Sequence, residues 1–265
     1  MDRMLPLPQI SLVNCFSNVR FIATDMDGTL TTNGKFTPAL LQALTNLALA
    51  NFKVIIVTGR SSGWVSGLVS YLPIAGAVAE NGGLFYQSGE EVPVTLTQIP
   101  DLFSHRQKLA TAFQELHTLF PHIQESADNR FRITDWTFDV QGLSTNELKI
   151  LADLCLQMNL GFTYSNVQCH IKPLEQDKAV GLLQVLRQNF PEYTLGQVLT
   201  VGDSPNDESL FDERYFPLSV GVANVREYVN QLKYQPAFIT LAKEGQGFCE
   251  LSDYILNAVE TQNFY

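Results

Sequence analysis

The sequence predicts an α/β protein, a doubly wound parallel sheet interrupted by a smaller α+β insert, and three observations predict it. Short apolar runs at 21–24, 54–57, 77–79 and 198–201 are each cut off by turn or polar residues, as strands buried on both faces are. Segments with apolar residues at helical spacing separate most of them, which is the strand–helix–strand order of right-handed crossovers. From about 85 to 169 that alternation stops. The division expected is therefore a core of 19–84 and 170–265, an insert of 85–169, and an irregular, proline-bearing lead-in of 1–18.

Phe21-Ile22-Ala23-Thr24 is the first core strand, and Asp25-Met26-Asp27-Gly28-Thr29 follows it. Residues two apart in extended backbone face the same way, so the carboxylates of Asp25 and Asp27 can address one spot beyond the strand tip. Two close carboxylates repel unless a cation or a shared proton relieves them, which suggests Mg²⁺; a solvated acidic loop is the plain alternative. Residues 31–35 are turn-rich and read as a flap, and Thr37 with Pro38 opens a helix carrying Leu40, Leu41, Leu44 and Leu47. The strand at 54–57 ends in Thr58-Gly59-Arg60-Ser61 ahead of another helix. Thr58 reads equally as a helix cap and as a phosphate contact, and Arg60 as an anion contact or a surface residue.

Glu80-Asn81-Gly82-Gly83 breaks the strand at 77–79, and 84–86 with 92–94 reads as a hairpin. In the insert, helices are expected at 99–120 and 147–158, a strand within 131–140 and two more within 161–171. Crossover order resumes with a helix at 178–190 and a strand at 198–201 that ends in Gly202-Asp203-Ser204-Pro205-Asn206-Asp207, where Asp207 falls one turn into a helix. Short strands at 219–222 and 237–239 and a helix at 247–259 close the chain.

With 265 residues the chain can bury a large core, and its 45% apolar and 17% charged residues are those of a globular protein. A net charge of −10 argues against nucleic acid as a partner, so an anionic substrate must be met by local cations or a metal. Cys15, Cys155, Cys169 and Cys249 have no metal-ligand spacing and are too sparse for a disulfide framework. Prolines interrupt the N-terminal segment, and no apolar run approaches the roughly 18 residues of a membrane span. A soluble, cytoplasmic protein is expected.

Asp25, Asp27, Thr58 and Asp203 each follow a strand of one predicted parallel sheet, whose ligands bind beyond the carboxyl ends of its strands. In order, Asp25-Met26-Asp27-Gly28-Thr29, Thr58-Gly59-Arg60, Lys178 and Gly202-Asp203-Ser204-Pro205-Asn206-Asp207 resemble the four motifs of the haloacid dehalogenase superfamily. The place of the insert, between the second and third motifs, resembles the type-two cap of the Cof-like and sucrose-phosphatase-like sugar phosphatases, as do Glu80-Asn81-Gly82 and the run from Ile171-Lys172-Pro173 to Lys178. Ala179 departs from the glycine that many relatives carry after the lysine.

The resemblance implies a Rossmann-like core and a Mg²⁺-dependent phosphatase acting on a small phosphorylated metabolite, a sugar phosphate first among them. It implies Asp25 as nucleophile, Asp27 as acid and base, Thr58 and Lys178 on the phosphoryl oxygens, and Mg²⁺ on Asp25, the Asp27 carbonyl and Asp203, with Asp207 in support. Gly59, Arg60 and Asn206 join Thr58 and Lys178 as substrate-binding candidates. A phosphotransferase or mutase would keep the same intermediate and pass it to another hydroxyl, and a non-catalytic phospholigand binder would have no need of both carboxylates. His170 and Lys172 at the junction of the insert are polar candidates for reading the rest of the substrate, with solvated strand positions explaining them equally, and Arg130, Arg132 and Asp135 in the insert rank below them; Trp64 and Trp136 read as packing residues. Monomer and homodimer are both open.

Overall fold

A computed structural model describes residues 4–7 and 15–262. Its strands are β1 (Leu5–Pro6), β2 (Phe21–Thr24), β3 (Lys53–Val57), β4 (Gly76–Ala79), β5 (Leu84–Gln87), β6 (Val94–Thr95), β7 (Trp136–Asp139), β8 (Gly161–Tyr164), β9 (Gln168–Lys172), β10 (Val198–Gly202), β11 (Leu218–Gly221) and β12 (Phe238–Ile239). The α-helices are α1 (Pro38–Leu49), α2 (Ser62–Tyr71), α3 (Leu102–Leu119), α4 (Thr145–Gln157), α5 (Lys178–Asn189) and α6 (Glu244–Gln262).

Nine strands form one sheet in the order β1-β12-β11-β10-β2-β3-β4-β5-β6, parallel from β1 to β4 and antiparallel at β5 and β6. Side chains alternate across it. Ile22, Val54, Ile56, Leu199 and Val201 pack with Leu40, Leu44, Phe248 and Leu251 on one face. Phe21, Ala23, Ile55, Val57 and Val198 pack with Leu182, Val185 and Leu186 on the other. Both faces are buried because crossover helices cover both, which is why the strands read as unbroken apolar runs rather than alternating ones. The chain belongs to the α/β class with a parallel-sheet core.

A second sheet, β7-β9-β8, is antiparallel and carries α3 and α4 on one face, with Leu109, Phe113, Phe138, Leu151, Cys169 and Ile171 in its own apolar cluster. The period of two then sends Gln168, His170 and Lys172 of β9 to the opposite face. The expected hairpin at the start of the insert, β5 and β6, extends the large sheet, whereas β9 belongs to the small one. Within 1–18, read as irregular, Leu5–Pro6 pairs in parallel with Phe238–Ile239; residues 1–3 and 8–14 lie outside the described residues. The turn after β10 is a 3₁₀ segment, Pro205–Phe211, instead of an α-helix: the Asp207 N–H donates to the Ser204 carbonyl three residues back at 2.9 Å, and the Ser204 N–H is taken by Asp207 Oδ2.

Candidate active site

The carboxyl ends of β2, β3 and β10 are neighbours in the sheet, and the residues just past them meet there. The Asp25 N–H still donates to the Val201 carbonyl at 2.9 Å, which carries the carboxylate one residue beyond the strand without freeing its backbone. Gly28 then turns the chain at φ +85°, and a Cβ there would stand 2.6 Å from Asp203 Oδ2. Only glycine satisfies both demands.

Lys178, at the first turn of α5, is fully buried and donates to Asp25 Oδ1 at 2.5 Å and to Asp207 Oδ1 at 2.7 Å. The other Asp207 oxygen accepts the N–H groups of Asp203 and Ser204 at 2.9 and 3.2 Å. Asp203 accepts the Thr29 hydroxyl at 3.0 Å and the Asn224 amide at 2.7 Å. Asn224, just past β11, also donates to the Gly28 carbonyl at 3.0 Å, and so ties the two acidic loops together. No motif flagged it. Its position past the carboxyl end of the strand beside β10 was the available signal.

Burial and the charges of Asp207 and Asp27 push Asp25 up to about 7 even though Lys178 opposes them. Asp203 is raised well above the usual range by burial, Asp25 and Asp207. Burial alone would lower Lys178, but Asp207 and Asp25 hold it above its ordinary value. An acidic group so placed holds too little positive charge for its carboxylates. Oxygens of Asp25, Asp203 and Asp207 all lie within 4.8 Å of one another, so one hard cation fits among them.

Asp25, Asp27, Thr58, Gly59, Arg60 and Asn206 line a single narrow space, closed on the other side by Ser165, Val167, Gln168 and His170 of the small sheet. Lys178, Asp203 and Asp207 lie at its floor, buried. Thr58 is buried there and its Oγ1 accepts the Arg60 N–H at 3.1 Å. Arg60 grips both Asp27 oxygens at 2.8 and 2.6 Å, so its fork is directed at the second carboxylate of the Asp-x-Asp pair and not into open space. It stacks over Trp64, 5.1 Å from the ring centroid, which gives that half-exposed indole a role in holding the guanidinium. Asn206 donates to Asn81 at 3.1 Å, which brings the Glu80-Asn81-Gly82 turn to the same rim.

The polar candidates of the insert and its junction separate. Arg132 is buried, reaches the Gly59 carbonyl at 2.9 Å and is paired with Asp128 and Asp135. His170 borders the space. Lys172 is buried away from it, with its ammonium on the Gln176 carbonyl, and Arg130 packs over Phe131 on the surface. Glu80, whose motif carried only a resemblance, binds the N–H groups of Ser62, Ile133 and Thr134 and so joins the core to the insert; burial and Asp135 push it up to about 7 against those donors.

The sequence model of the haloacid dehalogenase-like hydrolases matches residues 22–129. A phosphoglycolate phosphatase of Staphylothermus marinus is 28% identical over 251 residues, spanning 90% of this chain and 98% of the relative. A solved structure of a Thermoplasma acidophilum protein superposes with a TM-score of 0.73 at 17% identity, over 90% of this chain and 98% of that one. The C-terminal domain of a C. albicans trehalose-6-phosphate phosphatase does so with a TM-score of 0.69 at 15% identity, over 98% and 99%. The relative and the two solved structures span the large sheet and the insert alike, and with the motif order and its convergence on one sheet edge they make the chain similar to the haloacid dehalogenase-like hydrolases.

Proposed function

We propose that the protein is a Mg²⁺-dependent phosphatase that releases phosphate from a small phosphorylated metabolite through an aspartyl-phosphate on Asp25. The observation that carries this reading is the buried meeting of Asp25 with Lys178, Asp203 and Asp207 at the floor of a space rimmed by Asp27 and Thr58. The name of the phosphatase relative supports hydrolysis over transfer to a second hydroxyl.

Asp25, Asp203 and the Asp27 carbonyl would hold Mg²⁺, with Asp207 in support, and the bound ion would neutralise phosphate charge and fix its orientation. A carboxylate oxygen of Asp25 attacks phosphorus, and the bond from phosphorus to the leaving oxygen breaks. Asp27 supplies the proton that the leaving alkoxide takes; each of its oxygens keeps a lone pair beyond the Arg60 bond to carry it. Water then attacks the aspartyl-phosphate, gives its proton to Asp27, and frees Asp25 and inorganic phosphate. The Lys178 ammonium and the Thr58 hydroxyl, with the Gly59 N–H ahead of α2, stabilise the transferred oxygens. Asn206 holds the rim from the other side.

The small sheet with α3 and α4 is the cap that excludes water, and its boundaries fall after β6 and after β9. We place the enzyme in the cytoplasm, as a monomer or homodimer; among the described residues no helix is long and apolar enough to cross a membrane. The test is phosphate release from p-nitrophenyl phosphate with and without Mg²⁺. Asp25→Asn, nearly isosteric, is expected to cost at least about a thousandfold in kcat with the fold intact. A folded Asp25→Asn protein of near-normal rate overturns the reading.

A further inference from the structure

His170 stands in the middle of the ceiling of the site, on β9, with the strand's alternation turning it away from the apolar cluster and towards the core. It is buried, and its ring edge lies against the Gly59 backbone: a Cβ on Gly59 would meet His170 Cε1 and Nε2 at 3.0 Å each. The other ring nitrogen, Nδ1, is 2.8 Å from Asp135 Oδ2. Asp135 is in turn clamped by Arg132, whose Nη1 lies 2.9 and 3.0 Å from the two carboxylate oxygens. Arg132 is fixed by Asp128, Gln168 and the Gly59 carbonyl.

That chain of contacts settles which nitrogen carries the proton. An ionised Asp135 only accepts, so Nδ1 donates to it and Nε2 of the neutral ring is left with a lone pair. Arg132 already balances the Asp135 charge, and burial lowers the affinity of His170 for a second proton, with Lys178 adding to the effect. Nε2 makes no hydrogen bond among the described residues. The ring borders, beside Gly59, a space whose other lining groups on that side, Ser165, Val167 and Gln168, are uncharged, and whose cation, Arg60, has both arms on Asp27.

We infer that His170 is a specificity-determining residue: its Nε2 accepts a hydrogen bond from a hydroxyl of the leaving group, and selects phosphate esters of hydroxylated carbon chains over esters whose leaving group carries a carboxylate. A carboxylate placed there would face a lone pair and find no unengaged cation, and would lie beside the acidic floor. A hydroxyl satisfies the imidazole. The inference rests on the phosphatase reading and concerns the part of the substrate beyond the phosphate.

The test is a substrate series run with Mg²⁺: glycerol 3-phosphate, its deoxy analogue propyl phosphate, 2-phosphoglycolate, and p-nitrophenyl phosphate as the reference. For the wild-type enzyme kcat/KM should be at least about tenfold higher for glycerol 3-phosphate than for propyl phosphate, and higher still relative to 2-phosphoglycolate, because a site with a buried acceptor rejects a ligand that cannot donate to it. In His170→Phe, which keeps a flat ring and removes the acceptor, the ratio of glycerol 3-phosphate to propyl phosphate should fall towards one. A wild-type preference for 2-phosphoglycolate overturns the inference and means that Arg60 leaves Asp27 for the substrate carboxylate. An unchanged ratio in His170→Phe overturns it as well, and if that variant does not fold, the wild-type series decides. Failure on every ester including p-nitrophenyl phosphate refutes the phosphatase reading itself, whereas hydrolysis without the hydroxyl preference refutes only the role of His170.

Discussion

Replacing Lys178 by methionine isolates what the buried ammonium does for the acidic floor. The side chain is fully buried, so an unbranched apolar chain of similar length fills its tunnel, and what is lost is a charge between Asp25 and Asp207 with contacts of 2.5 and 2.7 Å. Removing one side of a buried ion pair costs about 3–5 kcal/mol, a large part of the roughly 5–15 kcal/mol that holds a domain together. The carboxylates can escape some of this by taking up protons. Asp25 is already raised from 3.8 to about 7 with the lysine present, and removing the lysine raises it further. A carboxyl whose folded pKa is raised binds a proton that the unfolded chain has released, so stability falls as pH rises from about 4 through the folded value, by up to about 1.4 kcal/mol per pH unit for each proton. Without Lys178 that window extends further up. Unfolding free energies from urea titrations of both proteins in EDTA should therefore differ by about 3–5 kcal/mol at pH 8 and by clearly less at pH 6, and millimolar Mg²⁺ should narrow the pH 8 gap. A gap below about 1 kcal/mol at pH 8, or the same gap at both pH values, would show that the ammonium does not hold these carboxylates apart.

Asn224→Ala removes the amide that orients Asp203 and Gly28, and should raise the Mg²⁺ concentration for half-maximal activity about 10- to 100-fold; an unchanged Mg²⁺ titration refutes that role. Lys172→Met replaces a buried ammonium whose pKa burial has lowered. Below that lowered value both states hold the proton; between it and about 10.5 the unfolded chain holds a proton that the folded one has released, so wild-type stability rises with pH across that window and the variant's does not. The variant should be as stable as wild type or up to about 2 kcal/mol more stable at pH 7, with the difference shrinking towards pH 10 in urea melts. A loss above about 1 kcal/mol at pH 7 would mean that the ammonium is well compensated where it lies.

The acidic floor was legible because it obeys two simple periodicities. Asp25 and Asp203 follow apolar runs, and parallel strands of one sheet end at one edge, so Thr58 had to join them. What lay beyond the rule was chosen by tertiary contact. Nothing local distinguishes the carboxamide of Asn224 from any other turn residue, and its partners Gly28 and Asp203 are distant in the chain. Arg132 and Asp135 sit around an irregular 3₁₀ turn and the start of β7, where no hydrophobic period marks the buried face, so their burial could be seen only once Gly59 was packed against them. The direction of the Arg60 fork was likewise undecidable from Thr58-Gly59-Arg60, since a guanidinium serves an incoming anion and a neighbouring carboxylate with the same geometry. The strand Leu5–Pro6 escaped notice because two residues carry no period at all.

The central pairing of the large sheet sets a schedule for synthesis. β2 has β3 on one side within a few dozen residues, but its other neighbour is β10, and the Thr29–Asp203 bond at the strand tips spans 174 positions. A ribosome adding roughly 5–20 residues per second takes about ten to thirty seconds to cover that stretch. Throughout that interval β2 presents an unpaired apolar edge, the kind of edge to which a second nascent chain can add a strand. The β7-β9-β8 sheet and its helices, contiguous in sequence, can complete themselves in the meantime. The phosphate site is thus among the last features to exist, and a chain halted before β10 carries Asp25 without Lys178 fixed beside it or Asp203 at all.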